Sequence, residues 1–186
     1  SYSVKGAPMT IQYAILGLLS WRPMSGYDLK KLIADSQSLH WSGNNNQVYR
    51  TLVQLHEAGL VEIEVQQQEN YPARKEYRLT EQGANELRNW VLSAPELPQF
   101  RSTFLIQLAW ADQLSAAELD GLLARYERAV EVQALILQER RRRGDINPAR
   151  TPREVYLWRE IEGYFLTAYT DELAWVRSLR KEVRDL

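Results

Sequence analysis

Val48-Tyr49-Arg50-Thr51-Leu52-Val53-Gln54-Leu55-His56-Glu57-Ala58-Gly59-Leu60-Val61 reads as an amphipathic helix that stops at a glycine and runs at once into a strand. Val48, Leu52 and Leu55 recur at spacings of four and three, which puts them on one helical face. Gly59 stands where a helix turns into the left-handed conformation that favours glycine. Beyond it, Leu60/Val61, Ile63 and Val65 alternate with Glu62 and Glu64, the period of a half-buried strand with a wet acidic face.

Upstream, Thr10 is read as the cap of a first helix with Ile11, Ala14, Ile15, Leu18 and Leu19 on its apolar face. Trp21-Arg22-Pro23 ends that helix, because the residue before proline avoids the helical region. Ser25-Gly26-Tyr27-Asp28 is a capping-box start for a second helix, with Leu29, Leu32 and Ile33 inward and Lys30 and Lys31 outward. A polar connection then leads to Asn44-Asn45-Asn46, any of which can cap the third helix. Downstream, a strand from Leu60 to Gln66 turns through Gln67 to Ala73 and pairs back as Lys75 to Leu79. Thr80 caps a fourth helix carrying Leu87, Trp90, Val91 and Leu92, and Pro95 and Pro98 mark a boundary. Three helices and a two-stranded ribbon make a winged helix-turn-helix, whose third helix enters the DNA major groove while the ribbon meets the backbone.

The remainder is helical. Phe100, Phe104, Leu105 and Leu108 form a short amphipathic segment. Ser115 to Glu118 is a capping box, and the helix it opens carries Leu119, Leu122, Leu123, Tyr126, Val130, Ala134 and Leu137 in a near-heptad rhythm. Arg140 to Arg143 crowd its last turn before Gly144, where cations suit the negative end of the helix dipole. Thr151-Pro152-Arg153-Glu154 is read as another capping box, opening a last helix with proline at its first helical position. Its stripe is Val155, Trp158, Ile161, Phe165, Tyr169, Leu173, Val176 and Leu179. At 1.5 Å per residue each long helix spans roughly 40 Å. Two such helices without a third long partner imply a homodimer, and Leu123 is read as part of its seam.

The expected architecture is therefore mainly α with a small β-ribbon: a winged helix-turn-helix domain over 9–95 and a helical dimerisation domain over 99–186. Residues 1–8 carry no periodic pattern and are read as a non-native leader or a disordered lead-in.

Composition bounds the function. The 186 residues hold 23 Lys/Arg against 24 Asp/Glu, a net of −1, so no global basic field advertises nucleic acid. Between Met9 and Pro95 the basic residues Arg22, Lys30, Lys31, Arg50, Arg74, Lys75, Arg78 and Arg88 face nine acids, so DNA attraction must come from local placement. The absence of cysteine removes disulfide, thiolate-metal and Cys-nucleophile chemistry and suits a reducing cytoplasm. His40 and His56 stand alone, without a second ligand at metal spacing. No nucleophile elbow, phosphate-cradling loop or dinucleotide fingerprint occurs, so neither an enzyme nor a cofactor is expected. The longest apolar run, Tyr13 to Leu19, is too short to span a bilayer.

Three stretches together resemble the PadR family of bacterial transcriptional regulators. They are Tyr13-Ala14-Ile15-Leu16-Gly17-Leu18-Leu19 followed by Ser25-Gly26-Tyr27-Asp28-Leu29, then Val48-Tyr49-Arg50-Thr51-Leu52 running to Gly59-Leu60-Val61, and Arg74-Lys75-Glu76-Tyr77-Arg78-Leu79-Thr80 followed by Gly83. The second half resembles the longer of the family's two helical tails. The resemblance implies binding to double-stranded DNA, dimerisation through the C-terminal helices, and repression relieved by a small aromatic or amphipathic effector. The run Asn44 to Gln47 lies outside the family pattern.

Candidate DNA contacts on the third helix are Asn45, Asn46, Gln47, Tyr49, Arg50 and, one turn on, Gln54. Asn and Gln pair two-pronged with adenine, Arg with guanine, and a Tyr hydroxyl reaches phosphate; simple capping by the asparagines is the competing reading. In the wing, Tyr71, Arg74 and Lys75 are candidates, against an ordinary hairpin with Arg74 pairing Glu69 or Glu76. Lys30 and Lys31 are placed to touch backbone or simply to face water. Trp90, Trp158 and Trp175 fall on apolar faces and are read as packing, whereas Trp41 and Trp110 are the candidate effector-pocket residues. The competing function is a winged-helix module used for protein contacts.

Overall fold

The computed structural model describes residues 9–36, 39, 46–68, 71–97, 102–144 and 146–184. The expectations for residues 1–8, Asn44, Asn45, Trp41 and Phe100 lie outside them, as do those for the side chains of Asn46, Tyr71 and Arg74. The chain forms two compact units, Ser1–Glu96 and Leu97–Leu186.

The first unit runs α1 (Met9–Trp21), β1 (Met24–Ser25), α2 (Gly26–Asp35), α3 (Asn46–Glu57), β2 (Val61–Gln68), β3 (Tyr71–Leu79) and α4 (Glu81–Val91). Helix α1 already includes Thr10, so that residue is inside the helix and does not cap it. Ser25 does cap α2: its Oγ accepts the Asp28 N–H at 3.1 Å and donates to the Asp28 carboxylate at 2.8 Å. The inward residues Ile15, Leu16, Leu29 and Leu52 are fully buried, and Val48, Leu55 and Val61 close the same core.

The ribbon differs from expectation in two ways. It is one part of a three-stranded antiparallel sheet ordered β1-β3-β2, because Met24 and Ser25 pair with Tyr77 and Glu76. A two-residue strand has no period to read, and its partner lies some fifty residues away. The strands also run on through most of the segment whose Gln, Asn and Pro content suggests a turn, with Gln66 opposite Arg74 and Gln68 opposite Tyr71. Among the described side chains of β2, Val61 is buried but Ile63 and Val65 are exposed, so the alternation continues past the point where the unit has a core to offer.

A knot of hydrogen bonds joins α3, the wing and α4. Gly59 adopts φ +72° and ends α3. The Thr80 hydroxyl donates to the Gly59 carbonyl at 2.8 Å and accepts the Gly83 N–H at 3.0 Å, while the Thr80 N–H donates to the Leu60 carbonyl at 3.2 Å. A Cβ on Gly83 would collide with that Leu60 carbonyl, so glycine is required for the close approach.

The second unit contains α5 (Thr103–Ala109), a 3₁₀ turn (Ala111–Gln113), α6 (Ala116–Arg143) and α7 (Pro152–Val183). Ser115 and Glu118 form the capping box of α6. Thr151 caps α7, but the Glu154 carboxylate takes the backbone N–H of Arg150 at 2.7 Å, one residue earlier than a capping box requires. Leu123, Val130 and Leu137 are buried along α6 at intervals of seven. Leu123 is completely enclosed with Phe104 and Val176, so it belongs to the protomer's own core and not to a partner seam. Phe104 stacks on Tyr126, whose hydroxyl donates to Glu172 at 2.6 Å; burial, then this bond, pushes the phenol up to about 12. Ion pairs stitch the helices: Arg180 to Asp120 at 2.9 Å and Glu127 at 3.0 Å, Arg177 to Glu131 at 2.7 Å, Arg184 to Asp120 at 2.8 Å. Among the terminal arginines of α6, Arg142 and Arg143 pair with Glu139.

Candidate nucleic-acid interface

Successive residues of an α-helix turn by about 100°. On α3 this gathers Thr51, Leu55, Val48 and Leu52 into one arc, and all four are buried. The opposite arc carries His56, Tyr49, Val53, Glu57 and Arg50, all exposed, with Gln47 and Gln54 half-buried at its edge. Helix α3 thus presents a continuous outer face of mixed chemistry on a rigid, core-anchored support. Tyr49, Arg50 and Gln54, singled out from the sequence, share that face. Val53 shares it too and was missed: the signal was an apolar residue four positions after Tyr49, outside the Val48/Leu52/Leu55 pattern.

Tyr49 is held in place as well as exposed. A Cβ on Gly26 would sit 2.8 Å from its Cε1, so the ring lies over the glycine that starts α2. Burial holds the Tyr77 phenol above the usual tyrosine range, and neighbouring Tyr49 raises it further. Helix α2, the face of α3 and wing strand β3 therefore converge on Tyr49, and the β1–β3 pairing locks the convergence. Tyr27, two-thirds exposed beside Gly26, adds a second aromatic at the start of α2.

Charge is local. Lys31 and Lys75 are exposed and Lys30 is half-buried. Arg78 is tied to Glu64 at 2.9 Å and approaches Glu62 at 3.9 Å, which cancels its charge within the wing. Among the described residues no ion pair holds Arg50 or Lys75. The Thr51 hydroxyl is buried without a hydrogen-bond partner.

Trp110 lies in the second unit, at the end of α5, 69% exposed. It lines an open cleft of about 510 Å³ with Gln107, Leu114, Glu118, Leu122 and Arg125. Trp90 is on the first unit, stacked on Tyr13 at 4.4 Å. The Tyr13 hydroxyl donates to Glu86 at 3.0 Å, so this pair fastens α1 to α4. Among the described residues no helix is long and apolar enough to cross a membrane, and no group of three or more His, Cys, Asp or Glu could hold a metal ion.

Comparison with known proteins places this geometry. Residues 15–89 match the model of the Transcriptional regulator PadR-like family. The negative transcriptional regulator PadR of Bacillus subtilis (strain 168) is 29% identical over 113 residues, 60% of this chain and 62% of that protein. The chain thus aligns with somewhat less than two thirds of that relative's length. The crystal structure of Bacillus subtilis PadR in complex with operator DNA superposes with a TM-score of 0.81 at 22% identity, covering 93% of this chain and 98% of the other. The same protein in complex with p-coumaric acid gives 0.76 at 21% identity, covering 94% and 99%. At that identity the superpositions establish the fold.

Proposed function

The chain carries a PadR-like domain over residues 15–89, and from that premise we propose that the whole is a dimeric DNA-binding transcriptional repressor released by a small molecule. The observation that carries the reading is the outer face of α3. Tyr49 and Arg50 project from a helix whose other side is buried, fixed against α2 and the wing. Arg50 supplies two-pronged recognition of guanine, Gln54 and Gln47 amide recognition of adenine, and Tyr49 a phosphate-reaching hydroxyl. Asn45 and Asn46 are proposed as further adenine contacts on the chemistry of their amides alone. Lys75, with Arg74 and Tyr71, meets the flanking backbone from the wing, and Lys30 and Lys31 do so from α2.

Dimerisation places two such faces on successive major grooves of an inverted repeat. Uncovered apolar surface on the second unit supports it: Val132, Leu135 and Ile136 on α6, and Leu157, Ile161 and Tyr164 on α7, are exposed in the protomer. The effector is an aromatic or amphipathic compound, a reading supported by the p-coumaric acid complex of the Bacillus relative. Trp110 and its cleft are one place for it, and Trp41 another. Release requires the effector to bind the DNA-free form more tightly than the bound one. No enzymatic step or cofactor is assigned, and the site of action is the cytoplasm.

The near-neutral charge favours one competitor, a winged-helix module for protein contacts. In-vitro selection of genomic fragments at two salt concentrations separates them. The regulator recovers an inverted repeat at both, with a salt dependence worth roughly 4 to 7 phosphates, and Arg50→Ala weakens it. Recovery of background sequence alone, even at low salt, would rule the regulator out.

A further inference from the structure

We propose that Val53 is a base-reading residue, seating the 5-methyl group of a thymine in each operator half-site one helical turn beyond Arg50. The inference rests on the DNA-binding reading above and adds to it a specific base and atom. With the buried arc of α3 centred between Leu55 and Val48, the direction furthest from the core falls between Val53 and Glu57. Val53 is 54% exposed there, flanked about 40° away by Tyr49 and about 60° away by Arg50.

A single exposed apolar side chain is ordinary on a protein surface. Here its place changes the reading. Val53 packs into no core, and a β-branched residue is poorer than alanine at holding an exposed helix together. It has no donor for phosphate and none for the polar edge of a base. The group in the major groove that an apolar side chain complements is the thymine methyl. Arg50 and Val53 are three residues apart, a rise of about 4.5 Å along the helix, against about 3.4 Å per nucleotide along a DNA strand. The methyl therefore belongs one or two base pairs from the guanine that Arg50 contacts. Glu57, on the same face a turn later, lies at the end of α3 where a recognition helix leaves the groove.

The test uses the full-length protein and the operator recovered by selection, with each thymine replaced in turn by deoxyuridine, which deletes only the methyl group. Wild-type protein should lose about three- to fivefold in affinity per half-site at one symmetric position, the scale of one buried methyl group. Val53→Ala should bind the unmodified operator more weakly and be indifferent to deoxyuridine at that position. Arg50→Ala, which should weaken binding while keeping the methyl response, serves as the control. If no replacement affects wild type, or if Val53→Ala keeps the full response, the assignment of Val53 fails while the regulator stands. If wild type selects no sequence at all, both fail.

Discussion

The two units solve the burial problem differently. Among the described residues, the first gathers thirteen buried side chains into one cluster, from Ile11 to Val61, whereas the second encloses only Phe104, Leu123 and Val176 in its cluster. The first unit closes over itself and projects polar chemistry outward from α3. The second spends two long helices on a narrow seam, holds them together with surface ion pairs, and leaves Leu157, Ile161 and Tyr164 exposed at intervals of four and three along α7. An amphipathic helix normally hides such a stripe. The difference teaches that the first unit buries its apolar residues within one chain, while the helical unit leaves an apolar stripe uncovered, as the proposed dimer requires.

The largest effect expected is the contrast between two aspartate substitutions in the helical unit. Leu123→Asp places an unpaired charge at a fully buried position and should cost on the order of 4 kcal/mol or more, unfolding the helical unit whatever the oligomeric state. Leu157→Asp, at an exposed position, should leave each protomer's helicity intact and raise the dimer dissociation constant on the order of 100-fold, since a twofold interface feels each change twice. Sedimentation combined with circular dichroism separates them; a Leu157→Asp protein that remains dimeric would move the interface elsewhere.

In the self-contained unit the vulnerable point is a backbone contact. Gly83→Ala drives a methyl onto the Leu60 carbonyl, which cannot move without breaking the Gly59–Thr80 knot. A loss of about 3 kcal/mol is expected, read as an early melting step that spares the helical unit. Melting at the wild-type temperature would show that α4 shifts freely.

What was legible in the sequence follows the range of the interaction. Val48, Leu52 and Leu55, the turn at Gly59, and the caps at Ser25, Thr80, Ser115 and Thr151 are set by neighbours a few residues away, and all stand where spacing puts them. Met24–Ser25 escaped because its strand exists only through Tyr77 and Glu76. The wing outran its expected length because pairing between Gln66 and Arg74 overrides the loop-like composition there. The heptad rhythm of α6 told that Leu123 is buried, yet not that α5 and α7 bury it in place of a second chain. On α3, spacing places Arg50 and Gln54 off the buried face, while the seat of Tyr49 on Gly26 depends on how two helices cross.

The ion pairs of the second unit give it an acid sensitivity of known sign. Hydrogen bonds from Arg180, then Arg184, hold the Asp120 carboxyl down to about 2, and Arg177 and Arg180 lower Glu127. A folded-state value below the unfolded one means the contribution is complete above about pH 4 and is lost as pH falls towards 2. These groups are half-buried and still in reach of water, so the effect is modest. Helical circular dichroism during acid titration should show α6–α7 weakening in that window, and Arg180→Gln should begin its loss at higher pH. Superimposable titrations would mean the network adds nothing to folding.

The smallest effect sharpens the comparison within the first unit itself. Gly26→Ala makes the same chemical change as Gly83→Ala but meets a different obstacle: the new methyl lies 2.8 Å from the Tyr49 Cε1, the end of a side chain that can swing away. Stability should therefore stay within about 1 kcal/mol, and replacing glycine by alanine in a helix can even help. The displaced ring, however, sits on the outer face of α3 between Val53 and His56. Operator affinity should fall about threefold, roughly the loss of one modest hydrogen bond, with the melting temperature unchanged. A melting loss as large as that of Gly83→Ala would mean Tyr49 is part of the core. Unchanged affinity and unchanged melting would remove Tyr49 from the DNA interface and leave its exposure without a role in reading.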